Sequence, residues 1–295
     1  MGALARPFPK GGRRNLHVFE DFNSTREYSV KARNSGRWVG LVPTMGFLHD
    51  GHKSLIQKAR QETDPLVVSI FVNPAQFGKG EDYHVYPRDI ERDIRVLKDL
   101  AVDVLFLPTV LAMYPDEYST FVEVERLSDV LCGAFRPGHF RGVATVVLKL
   151  FNVVLPHKAY FGLKDVQQLV VVRKMVNDLN LPVEIVGVPT VRAFDGLALS
   201  SRNAYLTPDE RKDAARIYQA LSKAKALIEA GERDASDIKE MIQEYIAQAP
   251  GFSVEYVSIC SFQNLQELSS ITGEVVIAVA ARLGKARLID NIIVG

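Results

Sequence analysis

Cysteine is nearly absent from the chain: Cys132 and Cys260 are the only two among 295 residues. Neither belongs to a Cys-x-x-Cys pair, which excludes a zinc ribbon and a dithiol redox centre. A reducing, cytoplasmic compartment fits this usage. Excess charge is missing too. With 36 basic against 35 acidic side chains the formal net charge is +1, and no local basic stripe compensates, so nucleic acid is not an expected partner. No apolar run reaches the ~18 residues of a membrane span. The longest candidate, Val143 to Leu155, is interrupted by Lys149 and Asn152, so a soluble protein with no membrane partner is expected. Residues 1 to 19 contain Arg6, Lys10, Arg13 and Arg14, no acid and no continuous apolar core, which excludes a secretory signal. A frayed terminal segment is the expectation there, with a transit peptide as the alternative.

What is present is an ordinary globular composition, 47% apolar and 24% charged, which rules out disorder and collagen-like repeats. At this length a fold buries roughly 75% of its unfolded surface and sits near the size at which one core divides, so two domains are expected. Apolar runs of strand length alternate with amphipathic helical stretches. Arg37 to Val42, Leu66 to Val72 and Val102 to Leu107 read as strands, with helices over His52 to Arg60 and Arg88 to Leu100. After an extra strand at Tyr118 to Glu125 the pattern resumes: helix Gly142 to Leu155, strand Ala159 to Gly162, helix Val166 to Leu179, strand Val183 to Val188. That order implies an α/β fold whose parallel sheet carries helices on both faces and binds ligands beyond the carboxyl ends of its strands.

Past residue 190 the grammar changes. Thr207-Pro208-Asp209-Glu210 is a capping box opening a helix that Gly231 stops, and a second helix runs from Ser236 to about Ala249. Ser253 to Cys260, Glu274 to Leu283 and Arg287 to Val294 then read as strands, the last two joined by Gly284-Lys285. Residues 1–190 and 191–295 are thus expected as a Rossmann-like domain and a smaller α+β carboxy-terminal domain, with segment 189 to 206 bridging them.

Chemistry gathers at the strand ends. The first strand enters Pro43-Thr44-Met45-Gly46-Phe47-Leu48-His49-Asp50-Gly51-His52 and then a helix. Strand, glycine turn and helix N-terminus together form a site for phosphate, and two histidines three residues apart can donate to its oxygens. Taken alone, the same pair could be cap and surface histidines. No third metal ligand lies nearby, and His52 stands where a Walker lysine belongs, so a P-loop is rejected. At the next strand end Asn73 and Gln76 offer neutral amides for hydroxyls or a carboxylate, or else serve only as turn and cap. Then comes Gly162-Leu163-Lys164-Asp165, followed by Gln167 and Gln168. Lys164 supplies a point charge for phosphate, while Asp165 suits a ribose hydroxyl or a helix cap. In the bridge, Ser200-Ser201-Arg202-Asn203 sets two hydroxyls and a guanidinium where they could close over a triphosphate. All of these groups suit oxygen anions, and none is a covalent nucleophile.

The strings themselves carry a resemblance. Pro43-Thr44-Met45-Gly46-x-Leu48-His49-x-Gly51-His52, Phe71-Val72-Asn73-Pro74-x-Gln76-Phe77, Tyr86-Pro87-Arg88, Arg136-Pro137-Gly138-His139-Phe140, Phe161-Gly162-x-Lys164-Asp165-x-Gln167-Gln168 and Ser200-Ser201-Arg202-Asn203 resemble, in order, the pantoate:beta-alanine ligases of the HIGH-motif nucleotidyl-transfer superfamily. The resemblance implies condensation of pantoate with beta-alanine through a pantoyl adenylate, releasing AMP and pyrophosphate. It also implies ATP with magnesium, a homodimer and a carboxy-terminal lid. Carried over by position, it makes His49, His52, Lys164 and Arg202 catalytic, and places Pro43, Thr44, Met45, Gly162, Asp165, Ser200 and Ser201 around ATP beside them. Gln76 and Gln168 would hold pantoate with Met45 lining its pocket, and Asn73, Tyr86 and Arg136 would lie near the second substrate or the pantoyl site. The chain departs from the family pattern at Asp50 for glutamate, Leu199 for methionine and Cys132 for glutamate. The last implies that Arg136 lacks an acidic neighbour, which a glutamate at 132 would restore. Two other classes stay open: a nucleotidyltransferase passing AMP or CMP to a phosphorylated acceptor, which needs a basic acceptor pocket, and a nucleotide-binding regulator without turnover.

Overall fold

The computed structural model describes residues 15–295. The basic cluster Arg6 to Arg14, and with it the question of a transit peptide, lies outside the described residues. Thirteen elements build the first unit: β1 (His17–Phe19), α1 (Phe22–Asn34), β2 (Gly40–Thr44), α2 (Asp50–Glu62), β3 (Leu66–Ile70), α3 (Ile90–Asp99), β4 (Val104–Phe106), α4 (Val110–Met113), α5 (Cys132–Phe135), α6 (His139–Val154), β5 (Lys158–Gly162), α7 (Val166–Asp178) and β6 (Glu184–Val188). The six strands pair in parallel in the order β1-β4-β3-β2-β5-β6. The order reverses between β2 and β5, and the crevice beyond their carboxyl ends is where such sheets bind ligands.

The sheet is covered on both faces, so its strands read as apolar runs rather than alternations. Leu41, Val67, Val104 and Phe106 meet α6 residues such as Val147 and Phe151 on one face. Val42, Val68 and Leu105 meet Ile56 and Ala59 of α2 on the other. Burying each such side chain contributes about 1.5–3 kcal/mol, and truncating one to alanine should cost about 2–5 kcal/mol.

Four expectations need correction, the last of them the cap of α10. Residues 17–19, read as part of a terminal tail, form the edge strand β1, and α1 follows. Three residues carry no period, and the buried positions Thr25, Ser29 and Ala32 of α1 are too small and polar to mark an apolar stripe. Tyr118 to Glu125 is not a strand. Its side chains pack instead of pairing in a ladder: Tyr118 sits edge-on to Tyr114, Arg141 lies over Phe121, and Val122 N donates to Thr145 Oγ1 at 2.9 Å. The helix opened by Thr207 also breaks, into α8 (Pro208–Asp213) and α9 (Arg216–Glu229).

The reciprocal Thr207–Glu210 capping box does form. Next comes α10 (Ala235–Ala247), capped by Asp234 rather than Ser236. β7 (Phe252–Ser261), β8 (Val275–Leu283) and β9 (Ala286–Val294) make an antiparallel sheet in that order. Gly284 turns β8 into β9 with φ +54°, a left-handed conformation that favours glycine, and a Cβ there would displace the flexible Glu210 carboxylate. β9 ties this small carboxy-terminal domain to the first sheet. Asp290 accepts from Arg192 at 2.5 and 2.9 Å, and Asn291 Nδ2 donates to the carbonyls of Leu163 and Lys164 at 2.9 and 2.8 Å. Among the described residues no helix is long and apolar enough to cross a membrane.

Candidate active site

The site begins where β2 stops. Gly46 (φ +81°) and Phe47 (φ +51°) reverse the chain in left-handed conformations. Phenylalanine adopts that region only when held. Asp93 of α3, 1% exposed, holds it: its carboxylate accepts from Phe47 N at 2.7 Å and Leu48 N at 2.8 Å. Thr44 Oγ1 completes the turn by accepting from Gly46 N at 3.2 Å. His49 then caps α2, its Nδ1 accepting from Gly51 N at 3.1 Å, while Nδ1 of His52 accepts from His49 N at 3.3 Å.

Because each Nδ1 is an acceptor, each neutral ring carries its proton on Nε2, a donor left over for a ligand. The two ring centroids are 4.1 Å apart. Burial first, and the nearby Lys164 charge second, push His49 down to about 4. Burial, His49 and Lys164 push His52 down to about 3. Both are therefore uncharged at neutral pH, and act as neutral donors rather than as cations. The Nδ1 atoms make the cap, and the opposite nitrogens of the same rings are left as donors.

Lys164 sits beyond β5 in a 3-10 turn, Leu163–Asp165, that leads into α7. Asp165 stands at the N-cap of α7 without a side-chain capping bond, so of its two readings, ribose contact or cap, the cap is not made. Across the crevice Ser200 caps the 3-10 turn Ser201–Tyr205, and Arg202 donates from Nε and Nη2 to Asp82 at 2.9 Å each. Burial opposes ionisation of Asp82, but Arg202 outweighs it and holds the carboxyl below its ordinary value. Tyr86, 6% exposed, is pushed up by burial despite a hydrogen bond with Ser201.

Arg136 is held by Glu81 at 2.7 and 2.6 Å, and also donates to Gln76 O at 3.2 Å. Burial resists the Glu81 charge, yet Arg136 brings its carboxyl down to about 2. His139 donates from Nδ1 to the same Gln76 carbonyl at 2.7 Å and accepts from Arg136 at 3.1 Å, and burial lowers it to about 4. The expectation that Cys132 faces Arg136 is wrong. Its thiol lies 3.1 Å from the Tyr256 hydroxyl and 3.6 Å from two nitrogens of Arg287, whose Nε donates to Glu255 at 2.8 Å. A glutamate at 132 would meet Arg287.

Pro43, Thr44, Met45, His49, His52, Asn73, Gln76, Tyr86, Arg136, Gly162, Lys164, Asp165, Gln168, Ser200, Ser201 and Arg202 all line one cavity of about 230 Å³. All the expected site residues are therefore brought together. A second cavity of about 340 Å³ between the sheets shares Arg136, Lys164, Asp165, Gln168, Ser200 and Arg202 with the first and adds Lys285, Arg287, Asp290 and Asn291 from the carboxy-terminal domain. Sequence reasoning missed Glu81, Asp82, Asp93 and these later residues. The acids sit in ordinary polar stretches, and no local signal separates them from solvated ones. Gln167, quoted in a motif, serves structure: it accepts from Cys132 N at 3.0 Å and donates to Leu127 O and Val130 O at 2.9 and 2.6 Å.

A family model described as pantoate-beta-alanine ligase matches residues 17–293. The pantothenate synthetase of Heliobacterium modesticaldum is 53% identical over 279 residues, 95% of this chain and 99% of that one. That of Thermotoga neapolitana is 52% identical over 280 residues, 95% and 100% of the two chains. The crystal structure of pantothenate synthetase from Thermus thermophilus superposes with a TM-score of 0.89 at 47% identity, covering 94% of this chain and 98% of that one. The Francisella tularensis pantoate-beta-alanine ligase, crystallised in complex with beta-gamma ATP and beta-alanine, gives 0.77 at 35% identity over 94% and 97%.

Proposed function

The chain belongs to the pantoate-beta-alanine ligase family, and from that membership we propose how its residues divide the ATP-dependent joining of pantoate to beta-alanine. In the first step a pantoate carboxylate oxygen attacks the α-phosphorus. A new P–O bond forms, the bond to the bridging oxygen breaks, and pyrophosphate leaves. In the second, the beta-alanine amine attacks the acyl carbon, the C–N bond forms, AMP departs with the old acyl oxygen, and the amine gives up a proton to solvent.

A carboxylate is already ionised at neutral pH, so the first step needs orientation and charge neutralisation rather than a base. Nε2–H of His49 and His52, the Lys164 ammonium, Ser200, Ser201 and Arg202 supply these at the phosphates, near the N-terminus of α2. Pro43, Thr44, Gly162 and Asp165 frame the nucleoside. Neutral Gln76 and Gln168, with Met45 beside them, receive pantoate. Tyr86 and Arg136 stand near the pantoyl group and beta-alanine. Residues 1–190 hold ATP and pantoate in this reading, and 191–295 act as the lid.

Magnesium fits as a companion of the nucleotide. Among the described residues no three His, Cys, Asp or Glu side chains converge on a metal, and Mg²⁺ is commonly kept by phosphates with one or two carboxylates. The phosphates lying between Lys164 and Arg202 would hold most of its coordination, and the ion would supply neutralisation of phosphate charge. The reading also includes a homodimer, supported by exposed apolar side chains such as Leu111 and Phe121, and a cytoplasmic location, supported by two free cysteines.

The observation that carries the proposal is one cavity lined both by donors suited to phosphate and by neutral amides suited to a polyol acid. Neutral amides disfavour a phosphorylated acceptor. The test is AMP release with ATP, magnesium, pantoate and beta-alanine, each omitted in turn. Sustained release is expected only from the full mixture, with one pantothenate per AMP. Turnover with a phosphorylated acceptor in place of pantoate would favour a nucleotidyltransferase, and no turnover with the full mixture would favour a regulator.

A further inference from the structure

Asn73 was expected to touch substrate, yet its amide is fully used inside the protein. The side chain is 1% exposed. Its Nδ2 donates to Gln76 Oε1 at 3.0 Å and to Gly142 O at 3.1 Å. Its Oδ1 accepts from Ala75 N at 3.2 Å and from the Tyr114 hydroxyl at 2.8 Å. An amide offers two donors and two acceptor sites, so none remains for a ligand. Whatever Asn73 does for the reaction passes through Gln76.

With Oε1 taken, Gln76 must point Nε2 into the cavity. There it donates to Met45 Sδ at 3.1 Å. A thioether is a weak acceptor, and a substrate oxygen that displaced it would make the stronger bond. An amide turned the other way would face a carboxylate with its own carbonyl oxygen. Tyr114 secures the far end of the chain. It follows α4, its phenol is kept protonated by burial, and its ring is fixed by Phe71 at 6.3 Å, Tyr118 at 5.0 Å and the Lys149 ammonium at 5.3 Å.

We propose that Tyr114 is a positioning residue for the acid substrate: through Asn73 it sets the Gln76 amide so that the pocket presents N–H donors and selects a ligand bearing acceptor oxygens. The inference rests on the reading of Gln76 as a pantoate contact. It predicts an effect on one substrate only, because the chain Tyr114–Asn73–Gln76 ends at the acid pocket and touches none of the phosphate donors.

The experiment is steady-state kinetics of the full chain with each substrate varied, alongside thermal unfolding. Tyr114→Phe, which deletes one hydroxyl, should raise the pantoate KM about three- to tenfold, the usual effect of one lost hydrogen bond, while kcat and the ATP KM stay within about twofold. Asn73→Asp can still accept from Ala75 and Tyr114 but cannot donate to Gln76, and should raise the pantoate KM about tenfold or more. A purely structural role would instead lower kcat and shift both KM values together with the melting temperature. That pattern, or an unchanged pantoate KM in Tyr114→Phe, overturns the proposal. If Tyr114→Phe does not fold, Asn73→Asp decides by the same split. Gln76→Ala separates the two levels: if it leaves the pantoate KM unchanged, the reading of Gln76 fails, whereas a raised KM with no effect of Tyr114→Phe defeats the relay alone.

Discussion

The guanidinium of Arg136 is clasped by Glu81, with Nε and Nη2 at 2.7 and 2.6 Å from the two carboxylate oxygens. Both side chains are largely shielded, 12% and 24% exposed. The pair fixes Arg136 over the Gln76 carbonyl and leaves Cys132 to a different neighbourhood at Tyr256 and Arg287. Because a shielded charge is costly to leave unpaired, Glu81 matters more to Arg136 than anything at position 132.

Glu81→Gln should therefore destabilise the protein by about 1–3 kcal/mol, read from the urea midpoint. Cys132→Ser should stay within about 1 kcal/mol and within tenfold of wild-type activity. Adding Cys132→Glu to Glu81→Gln should restore nothing, because the new carboxylate meets Arg287. Recovery in that double variant would mean that position 132 does reach Arg136.

The two half-reactions should separate the phosphate donors from the rest. Lys164→Ala or His52→Ala should slow adenylate formation by roughly 10² or more, as expected for groups that stabilise developing charge. Reaction of supplied pantoyl adenylate with beta-alanine should be largely spared. Equal losses in both would contradict the division.

Acid should destabilise the fold through its neutral histidines before it reaches the carboxylates. His49 and His139 are lowered to about 4 and His52 to about 3, whereas the unfolded chain binds these protons near 6.5. Stability is thus full above about pH 6.5 and falls as pH drops toward the folded values, levelling off once the folded rings protonate. Glu81, lowered to about 2, adds its own loss only below about pH 4.5. His52→Gln keeps an acceptor at the third helical position and should flatten stability against pH between 6.5 and 4.5, by up to about 1.4 kcal/mol per pH unit. An unchanged slope would show that His52 titrates normally in the folded protein.

Pantoate alone should support exchange of labelled pyrophosphate into ATP. An absolute requirement for beta-alanine would exclude a free adenylate. Mass spectrometry of the intact protein with ATP and pantoate should show no pantoyl adduct, because adenylation already activates the acyl group and a thioester on Cys132 would only add a step. A stoichiometric adduct abolished by Cys132→Ser would reverse that conclusion.

The alternation of strand and helix from Gly40 to Val188 was legible in the chain because strands buried on both faces, such as Leu66–Ile70, are apolar at every turn of the pleat or nearly so. β1 was too short to show a period. Residues 118–125 showed the composition of a strand but spend it on packing against α6. Strand ends were legible too, because a turn followed by a helix start is local chemistry, and that was enough to bring out His49, Gln76 and Lys164 as candidates, while Arg202 stood out in the polar bridge between the domains.

What those residues are able to do was decided by partners far away in sequence. Arg136 meets Glu81 across 55 positions, Arg202 meets Asp82 across 120 and Cys132 meets Arg287 across 155. The charge of the histidines depends on burial and on Lys164, and the availability of Asn73 depends on Tyr114, 41 residues along the chain. Residue identity determined which groups could donate, accept or carry charge. Protonation, pairing and orientation depend on dielectric and distance, and only the folded chain sets those.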